Sequence, residues 1–267
     1  MDMTLLAYGL MVGLFAGAFG GTLAGLAGLG GGLIYVPVFY AFMPEGAGAT
    51  SGTISAPVMA SMGAIVFTGF FSTRAHWRLG HIHMDSFRQL IPGLILGAAL
   101  GLWLTLRIPE AAVLTGLALL DGWIAWDYGR DIRFAGPVPS LGLYAGPIGY
   151  ISGMLGVGGG TMLVPLLRRS LPLKDAVGTS ALCGMTMAAA AMAINLLLES
   201  GWRTMLGNQI LFLAGAWLGI LLVLPHATRW SAKLHATLAE ETIRLSLKVL
   251  FTTLAAGLIM AAVWKIS

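Results

Sequence analysis

The sequence predicts an all-α polytopic membrane protein built from two inverted-topology repeats, each a glycine-broken helical hairpin plus three transmembrane helices. Three observations predict it. The first is solvent preference: 57% of the residues are hydrophobic, only 10% are charged and the mean hydropathy is +0.86. A soluble domain carries about 25% charged residues, so this chain cannot dress a water-facing surface and its natural solvent is lipid. The second is a duplication. The stretch Gly21 to Pro37 recurs as Gly149 to Pro165 at a constant offset of 128, with six glycines, a valine and a proline coinciding. The third is the way basic residues divide between the two sides of the chain, taken up below.

The elements follow in order. Residues 4–42 are one apolar run broken at Gly28 to Gly32, and its first part carries a glycine at every fourth position: Gly9, Gly13, Gly17, Gly21 and Gly25. Glycines on one helix face let a second helix approach closely in lipid. The break is too glycine-rich for helix interior, where each glycine costs about 1 kcal/mol relative to alanine. Residues 33–42 then read as a half-helix. A span over 50–72 leads into a loop from Ser72 to Arg88 holding Arg74, His76, Arg78, His81, His83 and Asp85. Spans over 89–106, with its own ladder Gly93, Gly97 and Gly101, and over 111–128, rich in Trp123, Trp126 and Tyr128, complete the first repeat. Aromatics near a span end suit the bilayer interface.

The polar segment from Asp127 to Ser140 divides the chain into a first membrane repeat, 1–134, and a second, 135–267. The second repeat has a broken run over 141–167, a basic turn with Arg168, Arg169 and Lys174, and spans over 176–199, 207–225 and 246–264. Residues 225–248 alternate apolar and charged positions in the manner of a short amphipathic helix on the membrane surface.

Whether each broken run crosses or returns decides the architecture. If both return as hairpins, each repeat holds three full spans and the second is inverted. Arg107, Arg203 and Lys265 then lie on one side and the other twelve basic residues on the opposite side. If both cross once, the division is seven against eight. Short loops show a strong positive-inside bias, so the hairpin arrangement is expected, with both termini outside, in a bacterial cytoplasmic (inner) membrane.

Composition also excludes. The formal net charge of +4 sits in short loops between apolar runs, with no basic-aromatic patch for nucleic acid. The single cysteine, Cys183, excludes an intrachain disulfide and a multi-cysteine metal site. The start Met1-Asp2-Met3 lacks a positive n-region, so no cleaved signal peptide is expected. No Ser-His, metal-ligand or paired-carboxylate set lies within the spans, so an enzyme, a metal and a cofactor are not expected.

Paired breaks at corresponding positions of two halves are the best sequence pointer to a transport site. Half-helices starting near Gly31 and Gly159 offer unpaired N–H groups and the positive end of the macrodipole, and glycine lets an anion reach them. No basic residue sits mid-span, so the backbone is the evident source of positive potential. The expected binding residues are Gly28, Gly30, Gly31, Gly32, Gly156, Gly158, Gly159 and Gly160. Thr50, Ser51, Thr179 and Ser180, the Thr-Ser pair that follows each copy at an offset of 129, add hydroxyl donors.

The paired glycine-triplet-then-proline stretches, each followed by Thr-Ser in a duplicated small membrane protein, resemble the TauE/SafE family of sulfite and organosulfur anion transporters. The resemblance covers nearly the whole chain. It implies secondary transport of sulfur-containing anions such as sulfite, sulfoacetate or related sulfonates, coupled to the proton gradient and in the export direction, without identifying the substrate. An uncoupled anion channel, or a carrier of small organic carboxylates, is the alternative reading.

Other residues weigh less. Asp121, inside the span 111–128, is a candidate for proton coupling or gating, because a mid-membrane carboxylate costs about 2.5–3.5 kcal/mol; an acid near the interface paired with a neighbouring helix explains it as well. Asn195 and Gln209 read as interhelical hydrogen-bonding groups, and Cys183 as a small core residue. His76, His81 and His83 read as a solvated loop, since His-x-His alone is a weak metal signal.

Overall fold

The computed structural model describes residues 2–27, 31–44, 54–127, 140–237 and 240–266. These form ten α-helices, and no strand occurs among the described residues. They are α1 (Asp2–Ala27), α2 (Gly32–Phe42), α3 (Ser55–Arg78), α4 (Met84–Thr105), α5 (Glu110–Asp127), α6 (Leu141–Leu155), α7 (Gly160–Leu167), α8 (Leu173–Leu198), α9 (Ser200–Thr237) and α10 (Glu240–Ile266). An all-helical answer follows from the solvent, because lipid offers backbone groups no partner outside their own helix. Six of the helices are long and apolar enough to cross a membrane. Large apolar side chains point outward on them, among them Phe15, Phe70, Leu96, Leu197, Leu222 and Met260, as a lipid-facing surface requires. The protein is a multi-pass membrane protein.

The glycine ladders set which helices pair. Along α1, a Cβ added at Gly9, Gly13 or Gly17 would run into the backbone of α9 at Phe212, Ala216 and Ile220 in turn. Along α4, Gly93, Gly97 and Gly101 meet α6 at Ala145, Gly146 and Tyr150 in the same sense, and Thr105 donates to the Met154 carbonyl at 3.0 Å. Both pairs run parallel, backbone against backbone, which is the close approach small residues permit in lipid. The ladder glycines Gly9, Gly13, Gly17, Gly93, Gly97 and Gly101 are therefore packing residues in this fold.

Side-chain contacts fix the remaining directions. On α4 and α8, His83 N–H donates to Thr179 Oγ1 and Asn195 Nδ2 donates to the Ala99 carbonyl, so these two helices run parallel. The pair is tied at both ends, by His81 to Asp175 at 3.0 Å and by Arg107 to Glu199. Ser55 meets Met205 and Ala60 accepts from Trp217 Nε1, so α3 and α9 run parallel. Gly69 lies against Met185 while Gly178 lies against His76 and His81, so α3 and α8 run antiparallel. Thus α1, α3 and α9 point one way, and α4, α6 and α8 the other.

After its break the first run turns back. Tyr35 lies over Gly20, Phe42 meets Phe15 at a ring separation of 6.1 Å, and Tyr8 donates to the Phe42 carbonyl. As α2 advances, its contacts retreat along α1, so the two helices form an antiparallel hairpin. In the second run, Gly159 sits beside Met187, midway along α8, and α7 then leads back to the start of α8.

Two expectations from sequence change. The polar stretch from Ser72 to Arg88 is mostly helix: α3 continues through Arg74, His76 and Arg78, and α4 begins at Met84 after His83 caps it by accepting from Ser86 N–H. A helix can project beyond the apolar layer, and cations in its last turn suit the exposed carbonyl end. The stretch around 225–248 is not a separate helix either, because α9 continues through Pro225 to Thr237. A proline removes one ladder bond but does not by itself terminate a helix held by its neighbours.

Candidate functional site

Four residues at the second break are held in a specified shape. Gly156 takes a left-handed conformation, φ 67°, at the end of α6, where its N–H and that of Val157 both bond the Ser152 carbonyl. Gly158 repeats the left-handed sign at φ 49°. Side chains other than glycine are strained in this region. Ser61 of α3 donates to the Gly156 carbonyl at 2.6 Å, and Ile65, one turn further along α3, covers Gly158. A buried hydroxyl of one half thus fixes the chain break of the other.

The first break enters the same place. A Cβ on Gly32 would fall 2.7 Å from the Val157 carbonyl carbon and 3.0 Å from its oxygen. A Cβ on Gly156 would likewise meet Val36 of α2 at 3.0 Å. The start of α2 therefore rests directly on the second break, with no side chain between. Gly31, Gly32, Gly156, Gly158 and Gly159 are buried and Gly160 is half-buried. Neither α2, capped by Gly31, nor α7, capped by Gly159, has a side-chain hydrogen bond at its N-cap. The first N–H groups of a helix have no intrahelical partner, so two buried helix starts present uncapped donors and the positive ends of two dipoles to one locus.

The structure sorts the remaining expectations. Gly28, Gly30, Thr50 and Ser51 lie outside the described residues. Ser180 is buried, one helical turn from Gly184, where an added Cβ would lie 3.7 Å from Gly159 N. Thr179, also buried, is engaged with the α3–α4 connection, accepting from His83 N–H at 2.9 Å. Asp121 is fully buried on α5, and neither carboxylate oxygen has a hydrogen-bond partner among the described residues. Its helix packs on α10 and reaches the second break at Gly116, which touches Leu155; Asp121 lies five residues further along.

His81 is half-buried and hydrogen-bonds Asp175, its ring 6.2 Å from that of His76, while His83 bonds Ser86. No group of three metal-ligating side chains is present among the described residues. Cys183 is buried and free, and Asn195 bridges helices as expected. Gln209 reaches the Pro44 carbonyl at 3.4 Å.

Sequence reasoning passed over three hydroxyls: Ser61, Tyr35 and Thr161. The last two stand inside the repeated stretch itself, at the fifth position after Gly30 and directly after Gly160. Their position next to the breaks was a usable signal.

Comparison with known proteins gives the same direction. Residues 13–261 match the family described as "Sulfite exporter TauE/SafE". The chain is 32% identical over 206 residues to a "Probable membrane transporter protein" of Haemophilus influenzae, an alignment covering 74% of this chain and 75% of that one. No solved structure matches the chain.

Proposed function

The chain belongs to the TauE/SafE family of membrane transporters, and from that premise we propose that it moves small sulfur-containing anions across a bacterial inner membrane by alternating access around the two converging breaks. Sulfite, sulfoacetate and related sulfonates are the solutes in view. The observation that carries this reading is the contact of Gly32 with Val157. It joins two uncapped helix starts, which attract a negative solute through N–H donors and dipoles without a buried cation. Gly31, Gly32, Gly156 and Gly158 to Gly160 form the cradle, with Ser180 as a neighbouring donor and Thr179 behind it. Gly28, Gly30, Thr50 and Ser51 join the proposal on sequence alone.

Two repeats, 1–134 and 135–267, of inverted topology suit this mechanism. The support is directional: α1 and α6, α3 and α8, and α4 and α9 occupy corresponding places in the two repeats and run in opposite senses. Proton coupling through Asp121 and export as the working direction complete the proposal.

The test is a thermal-shift and calorimetric screen of purified protein against sulfite, thiosulfate, sulfoacetate and taurine, with acetate as the carboxylate control. Proteoliposome flux follows, with and without a proton gradient. Saturable binding of sulfur oxyanions and accumulation driven by the gradient are expected. Flux that never accumulates solute would establish the channel reading instead, and preference for acetate the carboxylate one.

A further inference from the structure

Two buried hydroxyls beside the breaks have no protein partner among the described residues. Tyr35 is fully buried in the first turns of α2, and Thr161, 3% exposed, is the second residue of α7. Among the described residues, neither hydroxyl oxygen meets hydrogen-bond geometry with a protein group. Leaving a buried donor unmet costs about 1–3 kcal/mol, so native structures rarely tolerate one without a reason.

The placement of Tyr35 is specific. Its ring lies across two glycines, and a Cβ at Gly20 would meet the ring at 2.5 Å. A Cβ at Gly31 would meet the ring carbon Cε2 at 2.6 Å and run into the hydroxyl. The phenol oxygen therefore sits over the start of its own helix, beside the Thr68 side chain of α3. Helical side chains lean toward the N-terminus, which is how a residue in this turn reaches back over the cap. Thr161 occupies the corresponding first turn of α7. Each half-helix thus brings one hydroxyl to its first turns, and Gly20 and Gly31 leave the space that the Tyr35 ring fills.

We infer that Tyr35 and Thr161 are the side-chain donors of the anion site, and that they select a three-oxygen sulfur oxyanion over a carboxylate. The inference rests on the proposed anion cradle. Two O–H donors from different helices, added to backbone N–H groups from two helix starts, approach a bound solute from several directions. Sulfite and a sulfonate group present three oxygens in a pyramid and can accept from all of them. A carboxylate presents two oxygens in one plane and leaves a donor unmet, which is how a polar site rejects a ligand lacking an acceptor.

The test compares wild type with Tyr35→Phe, Thr161→Val and the hydroxyl-retaining Thr161→Ser, reading sulfite and acetate binding by calorimetry and Tm in the absence of added anion. Tyr35→Phe and Thr161→Val are each expected to weaken sulfite binding roughly tenfold, about 1.4 kcal/mol. Acetate binding changes little, Thr161→Ser keeps wild-type affinity, and Tm is unchanged or higher because an unmet polar atom has gone. If wild type binds sulfite and both variants bind it equally well, or both lose sulfite and acetate alike, this inference is overturned while the cradle stands. A lowered Tm in both assigns the hydroxyls to structure and overturns it as well. A wild type that binds no oxyanion overturns the cradle beneath it.

Discussion

Asp121 shows what a single residue can demand. It lies among Leu117, Ala118, Ile124 and Ala125 on the buried face of α5, opposite the outward Leu119 and Trp123. An ionised carboxylate at membrane depth costs about 2.5–3.5 kcal/mol, and nothing among the described residues hydrogen-bonds this one. If it couples transport to protons, Asp121→Asn abolishes gradient-driven accumulation in proteoliposomes while exchange of solute continues, and the folded protein is no less stable. Unaltered transport with unaltered pH dependence would remove the coupling role. Glu199 behaves differently. It lies between α8 and α9, where a hydrogen bond from Arg107, with that guanidinium's charge, holds its carboxyl below the usual carboxylate range. A depressed carboxyl stabilises the fold above its unfolded-state value and loses that contribution as pH falls through the folded value. Thermal unfolding is therefore expected to show an acid-side loss, below the ordinary glutamate range near 4.3, that Glu199→Gln lacks; the effect is small, because the pair is exposed and screened. That Asp121 stands on a long apolar helix was legible from sequence. That it lacks a partner among the described residues was not, since that depends on which helix α5 meets.

At the scale of elements, the glycines divide by what they touch. Gly97 carries α6 on its surface: a Cβ there would run into the Gly146 carbonyl oxygen and lie 2.7 Å from Tyr150 N. Gly122, on α5, has nothing within 4 Å of the same position. Gly97→Val is expected to destabilise by about 1–3 kcal/mol through overpacking. Gly122→Ala is expected to be neutral or to stabilise by up to about 1 kcal/mol through helix propensity. Thermal unfolding in detergent separates the two, and equal effects would mean α4 and α6 do not touch as described. The spacing of four in each ladder made the close-packed faces readable, as did the breaks, because lipid forces long unbroken apolar runs and exposes any interruption. The partners were not readable. Nothing in the sequence couples Gly13 to Ala216, or Thr179 to His83; those contacts arise only when the helices assemble. The ends of elements were also misjudged at Arg78 and Pro225, because polarity marks where lipid stops and not where a helix stops.

For the whole molecule, the directions of the helices bear on the proposed division of basic residues. Arg107 and Arg203 lie at the end of α4 and the start of α9, on the side where α8 ends, and Lys265 lies at the end of α10. His81, Arg168 and Lys174 lie at the opposite ends, around the start of α4 and of α8. On the proposed inverted topology, three basic residues lie on one side and twelve on the other, and positive-inside orientation is then expected to put both termini outside. A reporter fused after Ser267 is expected to read as periplasmic, and one inserted after Gly80 as cytoplasmic. The reverse result at either position would overturn this orientation.

The contact of Gly32 with Val157 has a kinetic consequence. On the proposed function, a locus assembled half from each repeat cannot be divided between them, so the cradle is one seat and not two. Solutes are then expected to compete for it one for one, loading to follow a simple hyperbola with a single half-saturation point, and neither repeat alone to carry anything.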